Sequence, residues 1–431
     1  MAINPFSFGN PIKDPAHFYN RKNEIRQIVS RLLSAAHEST SVVGERRIGK
    51  TSLLKHLSNP EVAANYGLTN DHYCLIYIDF QGLTDITPRR FWQRVFKFME
   101  RDICNESLLP PIRTFSKQDE FDLFDLEDLF GMIKDSGLNI ILFMDEFEFI
   151  TQNPRFGPDF FGGLRSLAIH FSLALVTSTQ HALVDLCHSD EVKSSPFFNI
   201  FATVALRPFS REDSYNLIEG YLRRTDLAFT PEEKEFVVSL GGGHPFFLQM
   251  GGFYLFDEKI QGYSSKALFE HVIQDFDQQA DSHFHYLWNN CSESEKITLL
   301  TIITYNAQKP SQKTIPNLAN LVKTYAQTKL DIPELIMRGL ILEKEGVYTL
   351  FSTSLDKWIV HEVMASPGKE ETQASVEEWL ETSGPENLKA MKGTLPKFKK
   401  KYWPIVATIL KDISLDFIKV GLHEVLVNVV F

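Results

Sequence analysis

Residues 44–51 read Gly-Glu-Arg-Arg-Ile-Gly-Lys-Thr and meet every fixed position of the phosphate-binding loop G-x-x-x-x-G-K-[ST]. In such a loop the glycines let backbone N–H groups wrap phosphate oxygens, Lys50 supplies a mobile cation, and Thr51 offers a hydroxyl to Mg²⁺. Residues 39–43 are predicted as a buried strand and residues 52–57 as an apolar-periodic helix, so strand, loop and helix follow in the required order. The stretch therefore predicts a nucleotide site.

A second chemical element follows the predicted strand 139–145. Its apolar run delivers two carboxylates, Asp145 and Glu146, in the manner of a Walker B element. Asp145 would hold Mg²⁺ together with Thr51, and Glu146 would orient and deprotonate the attacking water. Acids also follow strands without any catalytic role, and the complete phosphate loop upstream is what favours the catalytic interpretation. Lys50, Asp145 and Glu146 are the predicted catalytic residues.

Small hydroxyl residues follow the next predicted strand, 172–177. Ser178 would face the terminal phosphate as a sensor, although a simple turn rich in Ser and Thr is an equal alternative. The phosphate contacts predicted from these patterns are Gly44, Arg47, Ile48, Gly49, Lys50, Thr51, Ser52 and Ser178.

The order of apolar runs predicts an α/β fold, a P-loop NTPase with a doubly wound parallel sheet. Each run looks like a strand buried on both faces, and helices are predicted between them. The ligand site of such a sheet lies beyond the carboxyl ends of its strands. The predicted strands after the loop are 73–80, 139–145, 172–177 and 203–206, with helices at 88–101 and 125–135.

Length and composition bound the class of protein. A chain of 431 residues suggests about three domains, and 43% apolar with 23% charged residues is typical of a globular protein. No apolar run is long enough to span a membrane, and residues 1–15 lack a secretory signal, so we expect a cytoplasmic protein.

Charge and cysteines exclude some chemistries. The net charge of −11 disfavours broad, sequence-independent DNA binding, which depends on Lys and Arg neutralising phosphates. Cys74, Cys104, Cys187 and Cys291 lie far apart in the sequence, without the spacing of a zinc or redox pair, so buried reduced thiols are expected.

The sequence after residue 206 predicts three further regions: an all-helical lid at 207–280, a winged-helix domain at 281–364 and a small, mainly helical tail at 365–431. Thr230 followed by Pro231 predicts a helix start. Apolar stretches at 339–343 and 346–350 predict a β-hairpin with its turn at Lys344 and Glu345. A winged helix binds DNA or packs against protein, and the acidic balance favours the second role.

The tail begins with a linker and carries a lysine run at 397–401 and a strongly apolar end at 425–431. The lysines would contact nucleic acid or lipid, or form a solvated helix face, which we favour. The apolar end is expected to pack on a partner or on the body, so an interaction domain is predicted.

Together these elements resemble the bacterial AAA-like ATPases of the STAND class, which are signal-transduction ATPases with several domains. The resemblance covers residues 4–361. It rests on the phosphate loop, on Asp145 and Glu146, on the box Phe-Tyr-Asn-Arg-Lys-Asn-Glu at 18–24, and on the turn Gly-Gly-His-Pro at 242–245.

The resemblance implies a switch driven by ATP and ADP with Mg²⁺. Phe18 and Arg21 would lie beside the adenine with His244 and Pro245, and the winged helix would close over an ADP-bound resting state. ATP would release that closure and permit self-association. An unknown protein trigger or effector would act through the C-terminal domain.

The chain departs from this family at one point. Many members carry an arginine after the strand placed here at 172–177, whereas this chain reads Thr-Ser-Thr-Gln at 177–180. Arg155, Arg165 or Arg207 would have to serve instead.

Two functions therefore compete, and a nucleotide-binding scaffold without turnover is a weaker third possibility, against which Glu146 argues. The first is a signalling switch with slow ATP hydrolysis. The alternative is a DNA-handling AAA+ ATPase that holds duplex with its winged helix and its lysine run. An exposed basic recognition helix would favour the second.

Overall fold

The computed structural model describes residues 3–118, 120–306 and 315–365. These residues form two compact units. We call residues 9–207 the core unit, and residues 3–8 with the described residues from 208 onward the helical unit.

The core unit contains a five-stranded sheet in the order β2-β3-β4-β1-β5, and every pair in it is parallel. The order reverses about β1, so the sheet is doubly wound, which confirms the predicted α/β P-loop fold. The strands are β1 Ser39–Val43, β2 Tyr73–Asp79, β3 Asn139–Asp145, β4 Leu173–Thr179 and β5 Phe201–Ala205.

Helices cover both faces of this sheet, which explains why the strand sequences are almost continuously apolar. All residues of β1 and β4 are buried. The helices are α1 Lys22–Leu32, α2 Lys50–Leu57, α3 Pro60–Ala64, α4 Pro88–Asp102, α5 Leu109–Lys117, α6 Leu123–Asp135, α7 Glu148–Thr151, α8 Pro158–His170 and α9 Asp190–Lys193.

Two hydrophobic cores lie on opposite faces of the sheet. The first packs α1 and α2 against it through Ile28, Leu53 and Leu57. The second packs α4, α6 and α8 against the other face and is rich in aromatic rings, among them Phe91 and Phe130. Because α2 begins at Lys50, the first core holds the phosphate loop against the sheet.

The helical unit begins with α10 Arg211–Leu222, α11 Pro231–Gly241, α12 Pro245–Ile260 and α13 Ser265–Asn289. Helix α11 begins where the sequence predicts. The Thr230 side chain accepts a hydrogen bond from the Glu233 N–H, and the Glu233 carboxylate accepts one from the Thr230 N–H. Pro231 is the first helical residue. No helix among the described residues is long and apolar enough to cross a membrane.

Helix α13 spans the predicted domain boundary at residue 280. It runs unbroken for 25 residues through that position. Buried Phe276, Ala280 and Phe284 recur every fourth residue along it, so one continuous apolar stripe holds the helix together.

The remaining elements of the helical unit are α14 Glu293–Asn306, α15 Leu318–Thr324, α16 Thr328–Arg338, β6 Ile341–Lys344, β7 Val347–Leu350 and α17 Thr353–Ala365. Strands β6 and β7 form an antiparallel hairpin, as predicted. Its turn lies one residue later than predicted, at Glu345 and Gly346, which both have positive φ. The winged-helix assignment stays a prediction, and the predicted tail lies outside the described residues.

The four cysteines are free, as expected. Cys74 and Cys291 are buried, but Cys104 is exposed because it lies in the loop after α4, and Cys187 is half-buried. The expectation that all four are buried was wrong.

The amino-terminal segment packs in the helical unit. Residues 3–8, which the sequence predicts as part of the ATPase core, are grouped with the residues from 208 onward. The ring of Phe6 is 2% exposed and lies 5.3 Å from the ring of Tyr221 and 5.9 Å from that of Phe229. The Asn4 amide donates to the Asp257 carboxylate at 2.7 Å. The aromatic contact decides where this segment packs.

We expect Phe6→Ala to destabilise the protein by about 3–5 kcal/mol, because it leaves a cavity among aromatic rings. Chemical denaturation measures the loss, and limited proteolysis should cut the amino-terminal segment faster. Phe124 is 75% exposed, so Phe124→Ala is the matched control and should change stability by less than about 0.5 kcal/mol. Equal losses in the two variants would contradict the assignment of this segment.

Candidate nucleotide-binding site

The phosphate loop joins β1 to α2 at the carboxyl edge of the sheet, where the sequence predicts it. Gly44 is needed for close approach, since a Cβ there would lie 2.9 Å from the Leu206 carbonyl oxygen and from the Ile48 side chain. Gly49 has φ +104°, a conformation that L side chains rarely adopt. The two glycines therefore permit the bend that turns the loop into α2.

Lys50 is buried inside this loop. Its ammonium donates to the carbonyl oxygen of Gly44 at 2.8 Å and to that of Glu45 at 3.3 Å. Burial lowers the pKa of Lys50, while the carboxylates of Glu146 and Glu148 act against that shift. Lys50 is thus a desolvated cation at the place where the motif puts phosphate.

Arg21 fixes the loop from outside. It caps α1 in a left-handed conformation with φ +63°. Its guanidinium donates to the Ile48 carbonyl at 3.0 Å and to the Arg207 carbonyl at 2.8 Å, and it pairs with Glu24 at 3.0 Å. It therefore ties α1, the phosphate loop and the chain after β5 together. Its predicted contact with adenine stays a prediction.

Two further predicted residues, Phe18 and Ser52, make contacts that involve α2. The Phe18 ring stacks on the His56 imidazole with ring centres 4.1 Å apart. The Ser52 hydroxyl accepts a hydrogen bond from the Ile12 N–H at 3.2 Å. Both contacts fasten the segment before α1 to the helix that follows the loop.

Asp145 ends β3 and is 1% exposed. Both oxygens of its carboxylate accept hydrogen bonds from hydroxyls: Oδ1 from Ser178 on β4, and Oδ2 from Tyr77 on β2 at 2.8 Å. The Ser178 hydroxyl in turn accepts from the Glu146 N–H at 3.3 Å. The structure thus places the Ser178 hydroxyl on the Walker B acid, and its sensor role stays a prediction.

Glu146 follows Asp145 in a left-handed conformation, with φ +53°. A non-glycine residue with positive φ is uncommon and often marks a functional site. Burial raises the pKa of Glu146, Lys50 acts in the opposite direction, and Asp145 raises it further. A carboxylate of this kind accepts a proton more readily than a solvated one.

Glu148 brings a third carboxylate to this edge of the sheet. It begins α7 and is 7% exposed. Burial raises the pKa of Glu148 to about 7; the charge of Glu146 adds to the shift, and the N–H of Gln180 acts against it. Glu148 is not among the residues predicted from the sequence, although a third acid so close to Asp145 and Glu146 was a visible signal.

The residues at this edge fit Mg²⁺. The structure supplies the carboxylate of Asp145 and places Thr51 on α2, which packs against β3 and β4. Mg²⁺ takes one or two protein oxygens and completes its shell with phosphates and water. No cluster of three or more His, Cys, Asp or Glu side chains suited to a metal occurs among the described residues.

The three candidate arginines differ in their surroundings. The Arg155 guanidinium donates to the backbone carbonyl of Asp85 at 2.6 Å and pairs with the Asp85 carboxylate at 3.2 Å. Arg165 is half-buried on α8. Arg207 follows β5, and its carbonyl accepts from Arg21. The identity of an arginine finger stays open.

His244 and Pro245 belong to the helical unit, where they begin α12. The His244 ring lies 5.0 Å from the ring of Phe247 and 5.9 Å from that of Phe351. Their predicted contact with adenine stays a prediction.

The sequence profile of the family described as novel STAND NTPase 2 matches residues 27–307, which hold the phosphate loop, the Walker B acids and the Gly-Gly-His-Pro turn. The chain belongs to this family. It is therefore a P-loop NTPase of the STAND kind, as the sequence analysis predicts.

Individual proteins are also similar to this chain. An uncharacterized ATP-binding protein of Methanocaldococcus jannaschii is 24% identical over 272 residues, which cover 53% of this chain and 69% of the relative. A Walker-type ATPase of Pyrococcus abyssi superposes with a TM-score of 0.53 at 17% identity, over 81% of this chain and 98% of its own. The ORC2 protein of Aeropyrum pernix, in its ADPNP and ADP complexes, gives 0.51 at 14% identity, over 88% and 98%. The two structures share the fold.

Glu148 gives the site a pH signature in the nucleotide-free protein. Because its folded pKa of about 7 exceeds the value of 4.5 for a solvated Glu, its contribution to stability is full below pH 4.5 and is lost as pH rises toward 7. The loss should be on the order of 3 kcal/mol. Glu148→Gln removes this pH-dependent loss of stability, so the stability of the variant relative to wild type should increase between pH 5 and pH 8.

Urea unfolding at the two pH values measures this gain. Glu106→Gln, at an exposed position, is the control and should track wild type at both. A stability difference between Glu148→Gln and wild type that does not change with pH would contradict the prediction.

Proposed function

We propose that this protein is an ATP-binding, Mg²⁺-dependent ATPase that hydrolyses ATP slowly and uses the nucleotide as a conformational switch in signalling. Lys50 stabilises charge on the terminal phosphates, Thr51 and Asp145 hold Mg²⁺, and Glu146 orients the attacking water. A divalent cation held by Thr51 and Asp145 would supply positive charge against the charge that develops on the phosphates.

One observation carries the proposal: the buried ammonium of Lys50, the buried carboxylate of Asp145 and the half-buried Glu146 lie at the carboxyl edge of a single sheet. The water oxygen bonds to the γ-phosphorus as the bond from that phosphorus to the bridging oxygen breaks. Glu146 takes the water's proton and ADP leaves with the bridging oxygen. Burial raises the pKa of Glu146 and so favours this transfer.

The base preference is proposed from relatives. The M. jannaschii protein is named as ATP-binding and the P. abyssi structure as a Walker-type ATPase. Both names support adenine nucleotides as the ligands of this chain, with Phe18 and Arg21 near the base.

Helix α16 favours the switch over DNA handling. It is the third helix in the series α14, α15, α16 and directly precedes the β6–β7 hairpin, which is the position of a recognition helix in a winged-helix domain. Its exposed residues are Lys329, Leu330 and Pro333. Its other strong cation, Arg338, is buried and pairs with Glu295 at 3.2 Å. A surface with so little positive charge is poorly suited to the phosphate contacts that dominate DNA affinity.

We expect Lys50→Ala to abolish measurable nucleotide binding, since it removes the cation buried under the phosphates. Glu146→Gln should still bind ATP but lower turnover by roughly 10²- to 10⁴-fold, because it removes the proton acceptor. Calorimetry measures binding and phosphate release measures turnover, with Lys97→Ala and Glu106→Gln as exposed controls. Wild-type turnover in Glu146→Gln would contradict its catalytic assignment.

Size-exclusion chromatography with light scattering tests the switch itself. We expect wild type to assemble in ATP, to stay monomeric in ADP, and to lose the difference in Lys50→Ala. A nucleotide-independent monomer whose DNA affinity falls steeply with salt would instead support the DNA-handling alternative.

A further inference from the structure

Tyr77 is placed by β2 beside the Walker B acid. The register of β2 and β3 pairs Asp79 with Asp145 and Tyr77 with Phe143. Residues two apart in a strand share one face, so Tyr77 lies on the same face as Asp145, two residues back from the end of its strand. This is also the face that α2 covers, because Tyr77 packs against the hydrophobic core that includes Leu53 and Leu57.

The phenol of Tyr77 holds one oxygen of the Asp145 carboxylate, to which it donates at 2.8 Å. Ser178 holds the other oxygen. The two donors come from β2 and β4, the strands on either side of β3. A carboxylate that is 1% exposed is therefore fixed from both sides by hydroxyl groups. Such a pair of contacts sets the rotation of the carboxylate before any ligand arrives.

The Tyr77 ring is itself held in place. The Lys55 ammonium of α2 lies 5.4 Å from the ring centre, in a cation–π contact. The phenol of a neutral tyrosine is a hydrogen-bond donor, as its contact with Asp145 requires. Lys55 lies on α2, which also carries Lys50 and Thr51, so this contact joins Tyr77 to that helix.

We propose that Tyr77 is a positioning residue for the divalent cation held by Asp145, and that it orients the carboxylate for the metal without touching the metal or the nucleotide. This inference rests on the proposed function, in which Asp145 is a Mg²⁺ ligand. Neither the phosphate-loop motif nor the Walker B pattern includes this tyrosine, and only the pairing of β2 with β3 brings it to the site.

The chemistry explains why the phenol matters to the metal. A carboxylate has about four lone-pair sites, so hydrogen bonds from Tyr77 and Ser178 leave sites for a metal or its bound water. If the phenol is removed, Oδ2 of Asp145 stays buried but loses its hydrogen-bond donor, and the carboxylate rotates more freely. Loss of a group that orients a metal ligand typically costs about 10- to 100-fold in metal affinity. A purely structural tyrosine would change stability and leave the metal dependence unchanged.

The experiment uses the full chain as wild type, Tyr77→Phe and the matched control Tyr73→Phe, which removes a hydroxyl from the other end of the same strand. Calorimetry measures ADP affinity in EDTA and over a series of Mg²⁺ concentrations. In Tyr77→Phe we expect ADP affinity in EDTA to stay unchanged and the Mg²⁺ concentration for half-maximal enhancement to rise at least about tenfold. An unchanged Mg²⁺ dependence in Tyr77→Phe would overturn the proposal.

A double variant guards against a folding defect. Tyr77→Phe/Asp145→Asn removes the buried charge together with its donor, and its Mg²⁺ dependence should equal that of Asp145→Asn alone, because Tyr77 acts through Asp145. A further shift in the double variant would overturn the proposal as well. Absence of ADP binding, or of any Mg²⁺ enhancement, in wild type would instead overturn the proposed function, so the two failures are distinguishable.

Discussion

The burial of the Lys50 ammonium beside acidic side chains is the interaction on which the rest of the site depends. A desolvated cation is costly unless it has hydrogen-bond partners and opposite charges close by. The carbonyl oxygens of Gly44 and Glu45 are its hydrogen-bond partners, and the carboxylates of Glu146 and Glu148 supply the opposite charge. The same arrangement leaves the acids partly desolvated, so the pKa values of both Glu146 and Glu148 rise. Bound phosphates would add the negative charge that this cation is placed to meet.

The loop keeps this geometry because the surrounding backbone is constrained from three directions. β1 lies between β4 and β5 in the sheet, so the start of the loop is fixed by its neighbours. Arg21 holds the Ile48 carbonyl from the side of α1. The first core packs α2 against the sheet. A loop held in this way loses little further conformational freedom when it binds a ligand, which favours affinity.

Much of the fold was predictable from the residues alone. β1 and β3 were predicted to the residue, because buried parallel strands read as continuous apolar runs with sharp ends. The start of α11 was predicted because Thr230 and Pro231 carry their own capping chemistry. The packing of residues 3–8 was not predictable in this way. It depends on contacts between residues distant in sequence, those of Phe6 with Tyr221 and Phe229, and no local pattern encodes such contacts.

The sequence by itself determined the class of this protein and the chemical core of its site. The phosphate loop needs its residue types at fixed spacing within one strand–loop–helix unit, so Lys50 and Thr51 were visible in the chain. Asp145 and Glu146 were visible because they end an apolar strand. Only the tertiary structure decided what surrounds these groups. Arg21 on Ile48, and Tyr77 and Ser178 on Asp145, come from separate elements whose register is set by sheet pairing. Those side-chain contacts exist only once β2, β3 and β4 lie side by side.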